Sequence, residues 1–226
     1  MLDAELKSFV GCIDVPLRHG MTVGEIARMA NAEHKIGAQL EVVALKDWHR
    51  GDWFDSTGLI WVDPSPNMRS LNAALLYPGV AMLEGARNYS VGRGTDSPFE
   101  QIGADWIQGQ ELAAYLNARY IPGVRLYPTQ FQPSSSNFAG RHIQGVRFVI
   151  TDREAFAPVR LGMEIGAALE KLYPGKYPWK ASERLIGNRA TISALEKGQD
   201  PRLIQQTHED GLRSFLERRA KYLLYK

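Results

Sequence analysis

The densest chemistry in this 226-residue sequence lies in one run, Glu84-Gly85-Ala86-Arg87-Asn88-Tyr89-Ser90-Val91-Gly92-Arg93-Gly94-Thr95. Glycines on both sides of Arg93 permit close backbone approach and unusual φ angles, and the guanidinium offers a planar fork suited to a carboxylate or a phosphate. The loop therefore has the makings of an anion site. The alternative is that Arg93 pairs internally with Asp96 or Glu100 and braces the turn. Glu84 is the local candidate for an acid or base, since partial burial raises a carboxyl toward neutrality, and bracing a strand end is its competing role.

Two further clusters carry polar groups that periodicity does not require. In Arg18-His19-Gly20-Met21-Thr22, a neutral imidazole just ahead of a helix start can meet a ligand together with free N–H groups, or simply bond a nearby carbonyl. In Asp63-Pro64-Ser65-Pro66-Asn67-Met68, two prolines fix the backbone around Asn67, which either faces a ligand or closes an Asx-turn. Five tryptophans, Trp48, Trp53, Trp61, Trp106 and Trp179, and nine tyrosines could supply a stacking platform for sugar rings, although most aromatics serve a core.

Several other chemistries find no support in the spacing. The five histidines show no metal-ligating pattern, so no catalytic metal is expected. Neither a G-x-S-x-G elbow, nor a Walker loop, nor a G-x-G-x-x-G opening a helix is present. No cofactor is expected. The single Cys12 excludes an intrachain disulfide.

The elements that must position these clusters follow from periodicity and caps. Thr22 and Glu25 form a capping box that starts a helix running to about Ile36 and closed by Gly37. Leu40–Leu45 and Leu59–Val62 read as buried strands. A helix from Leu71 to Tyr77 is capped by Ser70 and ended by Pro78-Gly79, and Val80–Leu83 reads as a strand leading into the glycine-rich loop. A helix over about Gln110–Tyr120 follows, then strands over Val124–Tyr127 and Gly145–Ile150, separated by a long surface loop, Pro128–Arg141. The last third reads as helices over Pro158–Tyr173 and Arg189–Lys197, then one long element opened by Asp200-Pro201. Strict β-α-β alternation is missing, so the expected class is α+β, a single domain over residues 1–226 with helices on a mixed or antiparallel sheet.

Composition sets the outer limits. Hydrophobic residues make up 44% and charged residues 23%, with a net charge of +2, which fits a globular chain and excludes wholesale disorder. Acids Glu209, Asp210 and Glu217 interrupt the one basic cluster, Arg213, Arg218, Arg219 and Lys221, so nucleic acid is not an expected partner. No apolar run approaches a membrane span, and the first residues carry no export signal.

Taken in order, several motifs resemble the NamZ-type exo-β-N-acetylmuramidase family. They are Ser8-Phe9-Val10-Gly11, the run from Arg18 to Ala27, Ser65-Pro66-Asn67-Met68, Tyr77-Pro78-Gly79, Gly92-Arg93-Gly94-Thr95 with Pro98-Phe99-Glu100, Gly103-Ala104-Asp105-Trp106, and Leu223-Leu224-Tyr225. The resemblance runs from about Ser8 to the end and implies the C-terminal half of a two-domain glycosidase, with an N-terminal Rossmann-like domain absent from this chain and supplied in cis or in trans. It implies removal of terminal N-acetylmuramic acid from peptidoglycan fragments, with the principal catalytic glutamate in that other domain and a periplasmic or extracellular setting. In that picture Arg93 meets the lactyl carboxylate of the sugar, while His19, Asn67, Asn88 and Trp106 contact the rest of it. One departure is that Ala86-Arg87 stands where the family pattern has a single residue before the asparagine. A non-catalytic module binding peptidoglycan sugars is the competing function, and a protein-interaction domain using the helical last third is a third.

Overall fold

A computed structural model describes residues 2–225. Its elements are α1 (Val23–Glu33), α2 (Leu71–Val80), β1 (Gln101–Ala104), α3 (Gly109–Ala118), β2 (Val124–Phe131), β3 (Ile143–Ile150), α4 (Pro158–Leu172), α5 (Glu183–Ile186), α6 (Arg189–Glu196), α7 (Pro201–Gln206) and α8 (Glu209–Ala220). The strands form one antiparallel sheet in the order β1-β3-β2. The class is α+β, as the absence of β-α-β alternation predicts.

The main core joins the sheet to α2, α3 and α4, with Leu76, Ile102, Leu112, Leu116, Val146, Leu161, Ile165 and Leu169 essentially without solvent contact. Helices α2 and α4 cross at glycines. A Cβ on Gly79 would lie 2.0 Å from the Pro158 carbonyl oxygen, and one on Gly162 would lie 2.5 Å from the Gly79 oxygen. The two backbones therefore touch, which removes a large apolar area from water between them.

That packing corrects the reading of residues 71–83. Pro78 does not end α2, which continues to Val80, and Ala81–Leu83 is a 3-10 turn rather than a strand. Proline costs a helix one N–H bond, and burial of Leu76, Val80, Met82 and Leu83 offsets that loss. Three further differences concern length and continuity. Strand β2 extends through Pro128 to Phe131, so the connecting loop is shorter than Pro128–Arg141. The short strand β1, which the sequence did not announce, pairs along its whole length with β3. The element opened by Asp200-Pro201 breaks at Thr207-His208 into α7 and α8, where His208 Nε2 lies 2.9 Å from the Thr191 hydroxyl of α6.

The largest correction falls in the first 70 residues. Neither Leu40–Leu45 nor Leu59–Val62 forms a strand, and neither is buried: Val43 is 89% exposed and Ile60 87%. No backbone N–H or C=O of either stretch bonds to other backbone among the described residues. The sequences have the β-branched composition of strands, but no described backbone pairs with them to complete a ladder.

What does fold in this region is α1, with the capping box intact: Thr22 accepts from Glu25 N, and Glu25 accepts from Thr22 N. Met21 and Met29 pack on Phe215 of α8 in a second, small core. Glu25, fully buried, also accepts from Arg50 and from Leu224 N, while Arg50 donates to the carbonyls of Gly20 and Tyr225. Burial opposes ionisation of Glu25, yet those hydrogen bonds and the Arg50 charge hold its carboxyl down at about 2.

Candidate functional site

Between α2 and β1 the chain turns repeatedly, and three features hold it there. Ser90 exchanges backbone bonds with Gly103 of β1, at 2.8 and 3.0 Å. Gly92 and Gly94 adopt φ of +78° and +81°, and a Cβ on Gly94 would lie 2.2 Å from the Ser135 oxygen. Both the left-handed backbone and the close approach thus require glycine. Finally, the 132–142 loop closes over the turn: Ser134 N and Oγ donate to the Gly94 carbonyl, and Asn137 Nδ2 donates to the carbonyls of Ala86 and Tyr89.

This construction encloses a cavity of about 210 Å³ lined by Glu84, Arg87, Tyr89, Ser90, Arg93 and Asn137, among others. It lies below the roughly 300 Å³ at which drug-sized ligand pockets begin, so it suits one substituent or part of a sugar ring. Arg93 Nε and Nη2 donate to Glu84 Oε2 at 3.1 and 3.0 Å. The internal partner of Arg93 is therefore Glu84, whereas Asp96 faces Arg69 and Glu100 accepts from Ser70 and faces Arg147. The guanidinium also lies 5.0 Å above the Phe99 ring, and Phe99 holds φ +63° with its side chain buried. A bulky residue in that conformation is strained, and here it sets the floor under Arg93.

Tyr77 of α2 completes the cluster. Its ring meets Phe99 edge-on at 4.8 Å, and burial together with the Glu84 charge raises its phenol above the ordinary value while Arg93 opposes. Beneath the cavity Tyr89 is 1% exposed, its hydroxyl lacks a hydrogen-bond partner among the described residues, and burial keeps it protonated.

Of the residues singled out by sequence, Glu84 and Arg93 are brought together at the cavity. Asn88 and Trp106 stand behind it: Asn88 Nδ2 donates to the Lys176 carbonyl, and Trp106 Nε1 donates to the Asn88 carbonyl while its ring packs on Tyr89 and Tyr173. His19 lies instead against α8. Its Nδ1 accepts from Met21 N, and Arg219 donates to its carbonyl. Burial, with help from Arg219, lowers its pKa, so the ring is neutral and carries its proton on Nε2. Asn67 is half-buried and does not line the cavity. Sequence reasoning passed over Tyr77, Arg87 and Asn137 as site residues. Spacing could not supply Asn137, because only the fold brings its loop onto the turn. No cluster able to hold a metal ion is found among the described residues.

Comparison with known proteins now bears on this geometry. Residues 75–225 match the family model described as exo-beta-N-acetylmuramidase NamZ, C-terminal, and residues 1–72 match its N-terminal counterpart. The junction between the two models thus falls between residues 72 and 75, at the start of α2, and this corrects the expectation of a C-terminal half alone, since the first 72 residues match the N-terminal model. The chain is 39% identical over 228 residues to the peptidoglycan beta-N-acetylmuramidase NamZ of Bacillus subtilis (strain 168), covering 100% of this chain and 55% of that protein. Two crystal structures of DUF1343 family proteins from Bacteroides fragilis NCTC 9343 superpose over 100% of this chain and 61% of theirs. Their TM-scores are 0.90 and 0.80, at 27% and 25% identity. The chain thus spans little more than half the length of these relatives. With two thirds of its residues matching one model and most of the rest the other, the chain belongs to the NamZ exo-beta-N-acetylmuramidase family.

Proposed function

We propose that this chain forms one wall of the substrate cleft of an exo-β-N-acetylmuramidase that removes terminal N-acetylmuramic acid from peptidoglycan fragments. The observation that carries this reading is the Glu84–Arg93 pair at a cavity sized for part of one sugar, on a turn braced by Ser134 and Asn137. Arg93, held by Glu84, keeps Nη1 for a ligand oxygen. Glu84 keeps Oε1 for a sugar hydroxyl or for proton transfer. Asn88 and Trp106 support the turn from behind, and His19 and Asn67 meet parts of the substrate beyond the cavity.

Glycoside hydrolysis generally uses two carboxylates flanking the bond. Glu84 is the one carboxylate among the described residues lining the cavity, so a second must come from another surface. The exposed stretches Leu40–Leu45 and Leu59–Val62 offer a place for that surface. Near-continuous apolar strands of this kind belong inside α/β sheets covered on both faces. In this reading they complete a sheet with the remainder of the N-terminal half, in cis or in trans, and that half supplies the principal catalytic acid.

The test uses the purified 226-residue chain and a chromogenic N-acetylmuramide, with and without the polypeptide corresponding to the rest of the N-terminal half. Turnover only with both present is expected. Full turnover by the chain alone would move the catalytic acid into it. Binding of N-acetylmuramic acid without turnover in either case would favour the competing reading, a non-catalytic module for peptidoglycan sugars, which the single carboxylate also fits.

A further inference from the structure

We propose that Arg87, rather than Arg93, is the residue that takes the carboxylate of the sugar ligand and so sets the preference of the cavity for an acidic amino sugar; this rests on the function proposed above. The two guanidinium groups differ in what they have left to offer a ligand. Arg93 spends the Nε and Nη2 edge of its fork on Glu84 Oε2, and its face lies over Phe99. That edge is one of those that bind a carboxylate through two parallel bonds, and breaking it free would leave Glu84 without its counterion. Taken together, Glu84 and Arg93 are electrically neutral.

Arg87 is different in each respect. It lines the same cavity, is exposed, and makes no hydrogen bond or ion pair among the described residues. Glu84 being the one acid among the described lining residues, Arg87 leaves the cavity with an excess of one positive charge. Its backbone is nevertheless fixed on both sides, since Asn137 bonds the carbonyls of Ala86 and Tyr89. A free fork on an anchored turn needs little ordering to meet an anion. Arg93 then positions Glu84 and keeps only Nη1 for a neutral oxygen of the sugar.

The experiment titrates the ¹⁵N-labelled chain with N-acetylmuramic acid, with N-acetylglucosamine, which lacks the lactyl carboxylate, and with D-lactate alone. The wild type is expected to bind the acidic sugar at least about tenfold more tightly than the neutral one, the factor corresponding to about 1.4 kcal/mol of charge-assisted bonding. Arg87→Gln is expected to bring that ratio below about twofold while leaving affinity for N-acetylglucosamine unchanged. Arg93→Gln is expected to weaken both sugars alike. A ratio preserved in Arg87→Gln, or lost only in Arg93→Gln, overturns the assignment, as does a wild type with no preference between the sugars. If neither sugar binds, the proposed function fails, and D-lactate still decides on Arg87. Shifts of the Gly85 and Ser90 amides that vanish in Arg87→Gln support it, and their absence from the wild type refutes it.

Discussion

Two regions of this chain are built on different terms. From α2 to α7, helices and sheet share one continuous apolar core, and the cavity turn is pinned to it by backbone bonds. Among the described residues of the first 70 and of α8, the buried apolar side chains are Met21, Met29 and Phe215, with Leu6 apart from them. Charge does the holding there. Glu25 and Arg50 gather the carbonyls of Gly20 and Tyr225 and the Leu224 amide, and Trp48 meets the Tyr225 ring edge-on at 4.7 Å. Asp3 bonds Gly187 and Arg189, while Arg153 pairs with Asp55 and stacks on Trp53, tying this region to the larger one. The lesson is that a segment can be anchored firmly at a few polar points while leaving its strand-like stretches open to a partner.

The largest effect is expected in the apolar core. Leu161→Ala on α4, at a site with no solvent exposure, is expected to cost about 3 kcal/mol through lost burial and an unfilled cavity. Urea unfolding followed by circular dichroism should show the midpoint fall for the whole core. A change below about 1 kcal/mol would mean that α4 is not central to that core.

At the polar staple the effect should be of similar size but local. Glu25→Gln leaves Arg50 without its counterion and is expected to cost about 3 kcal/mol in the region that Glu25 gathers. Hydrogen exchange should quicken in α1 and the C-terminal residues while β2 and β3 stay protected. Acid should act in the same direction. Because the folded state holds Glu25 at about 2 against an ordinary 4.5, its contribution is complete above pH 4.5 and is lost as pH falls toward 2. A staple as protected at pH 2.5 as at pH 6 would contradict that assignment.

Why some of this was legible in sequence and some not has a physical pattern. Caps are local chemistry, so Thr22 with Glu25, Ser70, and Asp200 with Pro201 each marked a true helix start. Strand β3 showed through its alternation of apolar and charged residues, and it pairs with β2 in full register. An apolar run without alternation is ambiguous, and Val80–Leu83 was resolved only by the contact of α2 with α4. Gln101–Ala104 has weak strand character and owes its pairing to β3. At the site, the glycines around Arg93 announced an unusual turn, but its partner proved to be Glu84, nine residues earlier, and not the nearer Asp96 or Glu100. Such pairings are set by how a turn is folded, which sequence distance does not encode.

The smallest effect on this chain should come from the open stretches, and that smallness is the informative result. Val43 and Ile60 are each more than four-fifths exposed, and no backbone ladder runs through them. Val43→Ser with Ile60→Ser is therefore expected to change the chain's own stability by less than about 0.5 kcal/mol. If these stretches complete a sheet with the rest of the N-terminal half, the same pair of substitutions buries two hydroxyls in an apolar layer there. Unsatisfied hydroxyls in such a place cost roughly 1–3 kcal/mol each, so association measured by titration calorimetry should weaken by well over tenfold. Unchanged association would remove these stretches from the interface, whereas a destabilised isolated chain would show that they already pack against it.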